Sequence, residues 1–400
     1  MENESELVWI DGELMCVIEF DDEPEFTYDA PARSGALCQL YVPLRDRASM
    51  ANVAVAVFAQ LFSHLGDGVS IHNYLPGDWA EPDLKKHHGI DPAAPVGYFI
   101  GLPAEVPGSL FEHPVSIGGF VCETDRILDD WVAVCNRLDL VTVPSRWARQ
   151  AFIESGVTTP IMVVPHGLEP EYRPYQDKVR EDRFVFYNTF HSASFCARKG
   201  LNELVRSFLR AFDGRDDVVL RLRTDESTDL VQCRKRYDFG RLIEHDPINI
   251  ALTTRNYARI FSRVHCTVHP SRGEGFGLVP FQSIACETPV IAPHATGMAD
   301  YLDDSNSVAL RTAGRVSGEG VGNAVGTYFR IDEDDLVEKL RYMESHWESE
   351  YDKVRAAAPA FRERFAWPNA LADFCALIEQ IVETNDPGIT LARLGSRFRG

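Results

Sequence analysis

The sequence predicts an α/β protein built of two doubly wound parallel sheets, and three observations carry that prediction. Short apolar runs alternate with amphipathic helical stripes, as buried parallel strands and their covering helices do. A segment rich in Pro, Glu and Tyr at 165–182 breaks this rhythm, and the rhythm then starts afresh. The length, 400 residues, is too great for one ordinary domain and fits two of about 150 to 200.

The elements follow in order. An acidic leader, residues 1–35, holds two apolar runs at 7–10 and 14–18 around Asp11 and Gly12, a hairpin with a tight turn. Residues 19–35 read as an acidic connector. The first α/β domain covers 36–170. Its strands are expected at 38–42, 69–73, 96–100, 117–121, 140–143 and 161–164. One helix spans 50–64, with Val53, Val57, Leu61 and Leu65 on one face. Another carries Leu128, Trp131, Val132 and Cys135 at helical spacing. Ser145 is placed to cap a helix from Trp147 that stops at Gly156. A linker is assigned to 171–182 and a second α/β domain to 183–367. That domain has strands at 184–187, 218–224 and 289–292 and a stripe of Leu201, Leu204, Val205, Phe208, Leu209 and Phe212. A helix is marked by Tyr257, Ile260, Phe261 and Val264. Leu371, Phe374, Cys375, Ile378, Ile381 and Val382 form a last helical face within 368–400. The two domains are expected to face a cleft.

Bulk composition narrows the function. The net charge is −20, and residues 1–35 hold eleven acids against one Arg, half of the excess. Such a chain does not bind nucleic acid or anionic membrane by bulk attraction. No apolar run approaches the roughly 18 residues of a membrane span, and no signal-peptide pattern opens the sequence. Nine scattered cysteines without CxxC spacing read as reduced, buried thiols. A cytoplasmic protein without a zinc site is expected.

The chemistry concentrates in 269–289. A short apolar strand at Thr267 and Val268 leads through Gly273, Gly275 and Gly277 into a helix beginning near Leu278. Glycines let backbone approach a ligand closely, and a helix N-terminus offers N–H donors to an anion. Glu274 in that loop would repel phosphate, so it reads as a ligand for hydroxyl groups. Phosphate held by backbone and hydroxyls held by a carboxylate point to a nucleotide-sugar.

Several separated segments resemble the retaining GT-B glycosyltransferases of the family-4-like group, which carry a Glu, seven residues, Glu motif. Pro270, Ser271, Glu274, Gly275, Phe276, Gly277, Leu278, Ala285, Pro289, Val290 and Ile291 stand in matching places. The stretches at 143–157 and 161–174 resemble the family's last N-domain helix and crossover. Arg198-Lys199-Gly200 resembles its diphosphate-holding basic pair, and Phe365-Ala366-Trp367 its lead-in to the C-terminal helix. The resemblance implies an acceptor-side N-terminal domain, a donor-binding C-terminal domain and a last helix returning toward the first. It also implies site roles. Glu274 would orient the donor sugar, while Lys199 and Arg198 would stabilise the leaving diphosphate. Gly275, Phe276, Gly277 and Leu278 would line the donor loop, with backbone N–H groups of Gly277 and Leu278 on phosphate. Glu123 resembles a Glu that recurs at this place in related enzymes.

Three departures stand out. Gln282 replaces the second motif Glu, eight positions after Glu274, and would hold ribose with one acceptor oxygen and no charge. Glu287 stands where a Gly precedes Thr288-Pro289, which reads as a change to a surface turn. The loop opening at Arg45 lacks the usual glycines. Beyond the motif, Arg223 and Thr224 end an expected central strand and would face the cleft. His72, His113, His166 and Glu123 lie at or beyond predicted strand ends, where ligands gather. The arginines of 392–400 read as a solvated tail.

The expected function is transfer of a sugar from a UDP- or GDP-sugar to a hydroxyl acceptor with retention, without an obvious need for metal. A non-catalytic nucleotide-sugar binder of the same fold is the alternative that Gln282 motivates; a phosphorylase or epimerase is a further one. The acceptor stays open among glycans, small molecules, proteins and modified nucleic-acid bases.

Overall fold

The computed structural model describes residues 5–10, 13–18, 30–44, 49–75, 79, 81–175, 178, 183–191, 196–248, 252–318 and 324–384. The readings placed on Asp11 and Gly12, on 19–29, on 45–48, on most of 176–182 and on 392–400 lie outside these residues. The chain divides into two compact units. One comprises Asp22–Cys122, Arg126–Gly167 and Phe365–Gly400; the other comprises Met1–Asp21, Glu123–Asp125 and Leu168–Arg364.

The chain begins with an antiparallel hairpin of β1 (Ser5–Ile10) and β2 (Glu13–Ile18), paired so that Ile10 faces Glu13. The first unit then lays down β3 (Cys38–Val42), α1 (Ser49–Leu65), β4 (Val69–Asn73), β5 (Val96–Ile100), β6 (Val115–Gly119), α2 (Asp129–Cys135), β7 (Leu140–Val143), α3 (Arg146–Glu154) and β8 (Ile161–Val163). These six strands form a parallel sheet in the order β4-β3-β5-β6-β7-β8. Successive residues of a strand face opposite sides, and β3 shows the result. Leu40 joins Ala54, Leu61, Phe374 and Ile378 on one face, while Tyr41 joins Phe99, Phe120, Trp131 and Phe152 on the other.

The second unit contains β9 (Phe184–Thr189), α4 (Leu201–Phe212), β10 (Val218–Thr224), α5 (Thr228–Arg236), β11 (Ile243–Pro247), α6 (Thr254–Phe261), β12 (Cys266–Val268), α7 (Leu278–Ala285), β13 (Val290–Ala292) and β14 (Val308–Ala309). A separate hairpin of β15 (Thr312–Ser317) and β16 (Thr327–Ile331) follows, then α8 (Glu333–Ser345) and α9 (Trp347–Arg364). The chain closes with α10 (Trp367–Ala370) and α11 (Ala372–Thr384), both counted with the first unit. The second parallel sheet runs β11-β10-β9-β12-β13-β14. Leu201, Leu204, Val205, Phe208 and Phe212 of α4 pack on Phe184, Phe186, Leu220 and Leu222. On the opposite face, Tyr187 meets Phe261 edge to face and Thr267 accepts a hydrogen bond from Ser283.

Two α/β units with parallel sheets are thus what the alternating pattern predicted. Several details differ. The strand expected at 117–121 lies at Val115–Gly119, because its ladder with β5 runs from Val96↔Val115 to Ile100↔Gly119. β10 is not central but second from the edge of its sheet. Elements α5, β11, β14, β15, β16, α8 and α9 were not read from the sequence at all.

Candidate active site

The order of the second sheet fixes where a ligand site can form. From β9 the chain steps outward to β10 and β11, then returns to β12 on the other side of β9 and continues to β13 and β14. Loops leaving the carboxyl ends of β9 and β12 therefore diverge, and that switch point is where open α/β sheets bind ligands. Arg198 and Lys199 lie on the segment between β9 and α4; His269 and Glu274 lie on the loop between β12 and α7.

Those four side chains meet. Lys199 Nζ lies 2.5 Å from Glu274 Oε1 and His269 Nε2 lies 3.0 Å from the same oxygen. Arg198 Nη1 is 3.4 Å from Glu274 Oε2 and donates to the Gly273 carbonyl at 2.8 Å. Arg198 Nη2 approaches Glu123 Oε1 at 3.5 Å. Glu274 is 6 % exposed. Burial alone would raise its carboxyl, but the Lys199 and Arg198 cations and the His269 hydrogen bond hold it well below the carboxylate range. Burial, together with the Arg198 charge, pulls the Lys199 amine below its ordinary value. Burial also opposes the Arg198 cation, and Glu123 and Glu274 more than compensate, so its pKa is raised.

The backbone makes this cluster rigid. Gly200 caps α4 at φ 71, and a Cβ there would lie 2.3 Å from the Pro270 carbonyl oxygen. The two loops are zipped by Arg272 N–H on the Arg198 carbonyl at 2.8 Å. Gly277 caps α7 at φ 89 with its missing side chain against Met298 and Tyr301. Thr296 adopts φ 57, rare for a β-branched residue. Its Oγ1 accepts the Glu274 N–H at 3.3 Å, and Gly297 N–H donates to the Glu274 carbonyl at 2.9 Å. Asp125 anchors the segment that carries Glu123. Its carboxylate accepts from Thr327 N–H at 2.7 Å and from Thr327 Oγ1 at 2.6 Å, and it pairs with Arg315.

The expected site residues thus separate. Glu274, Lys199, Arg198 and Glu123 come together. Gly275, Gly277 and Leu278 form the loop and the first turn of α7, which leaves their backbone beside the cluster. The Phe276 ring does not line a ligand space. It packs between Phe281 and Tyr301, centroids at 4.9 and 5.2 Å, so only its backbone faces the loop. Gln282 is half-buried on α7, and its side-chain amide has no protein partner among the described residues. Arg223 pairs with Asp246 at 2.9 Å.

Elsewhere two readings change. Glu287 is not on a surface turn: it is buried at φ 59 and meets Arg362 at 3.2 Å. His113 precedes the start of β6, at the amino end of its sheet, with Nδ1 on the Ala94 carbonyl at 2.9 Å and Nε2 on Tyr41 Oη at 3.0 Å. His72 lies where expected, one residue before the end of β4, and is buried. Sequence reasoning did not weigh His269, Thr296 or Asp125. His269 opens the very loop that was singled out; nothing in the local sequence marks Thr296 or Asp125.

Residues 192–374 match the model of Family 4 Glycosyltransferase in conflict systems. ORF313 of Acidianus filamentous virus 1 (isolate United States/Yellowstone), provisionally described as a glycosyltransferase, is 26 % identical over 235 residues, covering 56 % of this chain and 67 % of that one. A glycosyltransferase from Rickettsia africae superposes with a TM-score of 0.67 at 13 % identity, covering 88 % of this chain and 99 % of its own. Sucrose-phosphate synthase from Thermosynechococcus elongatus gives 0.63 at 14 %, covering 87 % and 99 %. The chain is a glycosyltransferase of GT-B fold. Anabaena HepE, solved with UDP-glucose, gives 0.61 at 14 %, covering 87 % of this glycosyltransferase and 98 % of its own chain. Identities this low carry the fold alone. Among the described residues, no helix of the glycosyltransferase is long and apolar enough to cross a membrane, and no three His, Cys, Asp or Glu side chains gather to hold a metal ion.

Proposed function

We propose that the chain moves a sugar from a nucleoside-diphosphate donor to a hydroxyl acceptor with retention of configuration. The observation that carries this reading is the buried Glu274 carboxylate gathered with Lys199 and Arg198 at the switch point of the second sheet. A carboxylate accepts hydrogen bonds from sugar hydroxyls, and two cations beside it offset the charge that grows on a departing diphosphate. The N–H groups at the start of α7, through Gly277 and Leu278, add donors for phosphate, and the Gln282 amide is available to ribose. HepE binds UDP-glucose, which makes UDP-glucose the first donor to try, with GDP- and ADP-sugars next.

In this mechanism the acceptor oxygen attacks C1 on the face from which the diphosphate leaves. The C1–oxygen bond to phosphate breaks, its electron pair stays on the leaving diphosphate, and a phosphate oxygen takes the acceptor's proton. No protein nucleophile is needed. Lys199 and Arg198 stabilise the leaving group, Glu274 orients the sugar, and Glu123 steadies Arg198 through its Nη2 at 3.5 Å.

The test is release of nucleoside diphosphate from each donor, with the anomeric configuration of the product read by NMR. Lys199→Ala and Glu274→Ala are each expected to lower turnover by about 10²-fold or more while the melting transition persists. Wild-type turnover in either variant would overturn this site, and binding of a donor without release would mark a binding protein instead.

A further inference from the structure

The cations assigned to the diphosphate are, in this structure, engaged by Glu274. Lys199 Nζ and His269 Nε2 share one carboxylate oxygen. We propose that His269 is the positioning residue that holds Glu274 in place when Lys199 is handed from the carboxylate to the donor diphosphate. This rests on the function proposed above. A buried carboxylate that loses its nearest cation swings or takes up a proton unless another donor holds it. His269 stays, because its backbone is anchored and its ring is enclosed. Its backbone N–H bonds the Ile291 carbonyl at 2.8 Å directly after β12, and the residue is fully enclosed.

The chemistry of the ring fits that duty. Nδ1 is buried with no hydrogen-bond partner among the described residues, so a proton there would be stranded. The proton belongs on Nε2, where it is donated to Glu274 Oε1. A neutral imidazole grips the carboxylate without adding a positive charge that would compete for the phosphates; burial, which lowers its pKa, favours that neutral form. Glu274 thus keeps a directional donor through the exchange, and the sugar hydroxyls meet a carboxylate already oriented. A displacement of about 1 Å at such a group costs about 10²-fold in rate.

The test compares His269→Leu, which removes the donor, with His269→Gln, whose side-chain N–H can reach the same oxygen. The substrate is whichever of UDP-, GDP- or ADP-glucose the wild-type chain turns over fastest. His269→Leu is expected to lower kcat by about 10²-fold with the affinity for the free nucleoside diphosphate unchanged, and His269→Gln to restore most of kcat. Should His269→Leu not fold, His269→Phe, which keeps a ring and lacks the donor, takes its place. A readout independent of donor identity is the ¹⁵N spectrum of histidine-labelled protein. The His269 signal is expected to show Nε2–H, and to keep it in Lys199→Ala. Wild-type kcat without the donor, equal loss in the Gln and Leu variants, or an Nδ1–H tautomer would each overturn the proposal. Full activity of Glu274→Ala would instead overturn the functional reading beneath it.

Discussion

The buried Glu274 carboxylate is held by Lys199 and Arg198, which lie on the segment ahead of α4, and by His269, five residues before it in its own loop. Glu287, at the other end of α7, has a structural role. It occupies the left-handed conformation at the end of α7 that Gly adopts without cost, and an Arg362 contact accompanies the strain. Glu287→Gly is therefore expected to be more stable than Glu287→Ala by about 1 kcal/mol, read as a difference in denaturation midpoints. Equal midpoints would show that the loop relaxes. Lys178 offers a pH test. Its amine donates to the Phe261 carbonyl and, at 2.6 Å, to that of Val264, and burial pulls it from 10.5 down to about 7. Between those values the unfolded chain holds a proton that the folded chain has released, so stability rises with pH across that window and is lost as pH falls toward 7. Lys178→Met should flatten this rise relative to wild type, by at most about 1.4 kcal/mol per pH unit. Denaturant titrations at several pH values between 7 and 10 measure it; identical slopes would refute it.

At the scale of elements, legibility followed amphipathicity. The α4 stripe and the short strands β3, β4, β5, β7 and β10 were read closely because their burial is written in consecutive side chains. By contrast, α9 is a largely polar helix with Pro359 inside it, and α5 is dominated by charges, so neither shows a clear apolar period. Most residues of the β15–β16 hairpin are exposed or half-buried, so it reads as loop. The turn that presents Arg198 and Lys199 is legible only in part: Gly200 is visible, while the Pro270 oxygen it must clear is not. Gly200→Ala is expected to cost about 2 kcal/mol or more from the positive φ and the clash. It should also depress nucleoside diphosphate release through displacement of the basic pair. Denaturation and turnover measured on one preparation check both, and a variant with wild-type turnover would show the turn to be tolerant.

For the whole molecule, the division into units does not follow the chain. The unit holding β3–β8 is completed by Trp367, Leu371, Phe374, Cys375, Leu377, Ile378 and Ile381, which are buried in its core. Deleting everything after Arg364 strips those side chains at about 1.5 to 3 kcal/mol each, a total comparable to the roughly 5 to 15 kcal/mol of stability typical of a folded domain. The truncated protein is expected to lose protection in β3–β8 by hydrogen exchange; retained protection would mean that this core is self-sufficient.

Legible in the linear string were the α/β class, the restart of the strand–helix pattern at β9, and the loop from His269 to the start of α7 with Glu274 in it. Periodicity and glycine spacing are local properties, and local properties survive in a linear string. Tertiary structure alone set which polar groups meet: Glu274 with Lys199, Arg198 and His269, Arg223 with Asp246, and Asp125 with Thr327 and Arg315. It also decided that β9 and β12 are neighbours, which places the two loops on either side of one switch point. A buried charge is defined by its partner, and the partner is chosen by strand order, which no window of neighbouring residues contains.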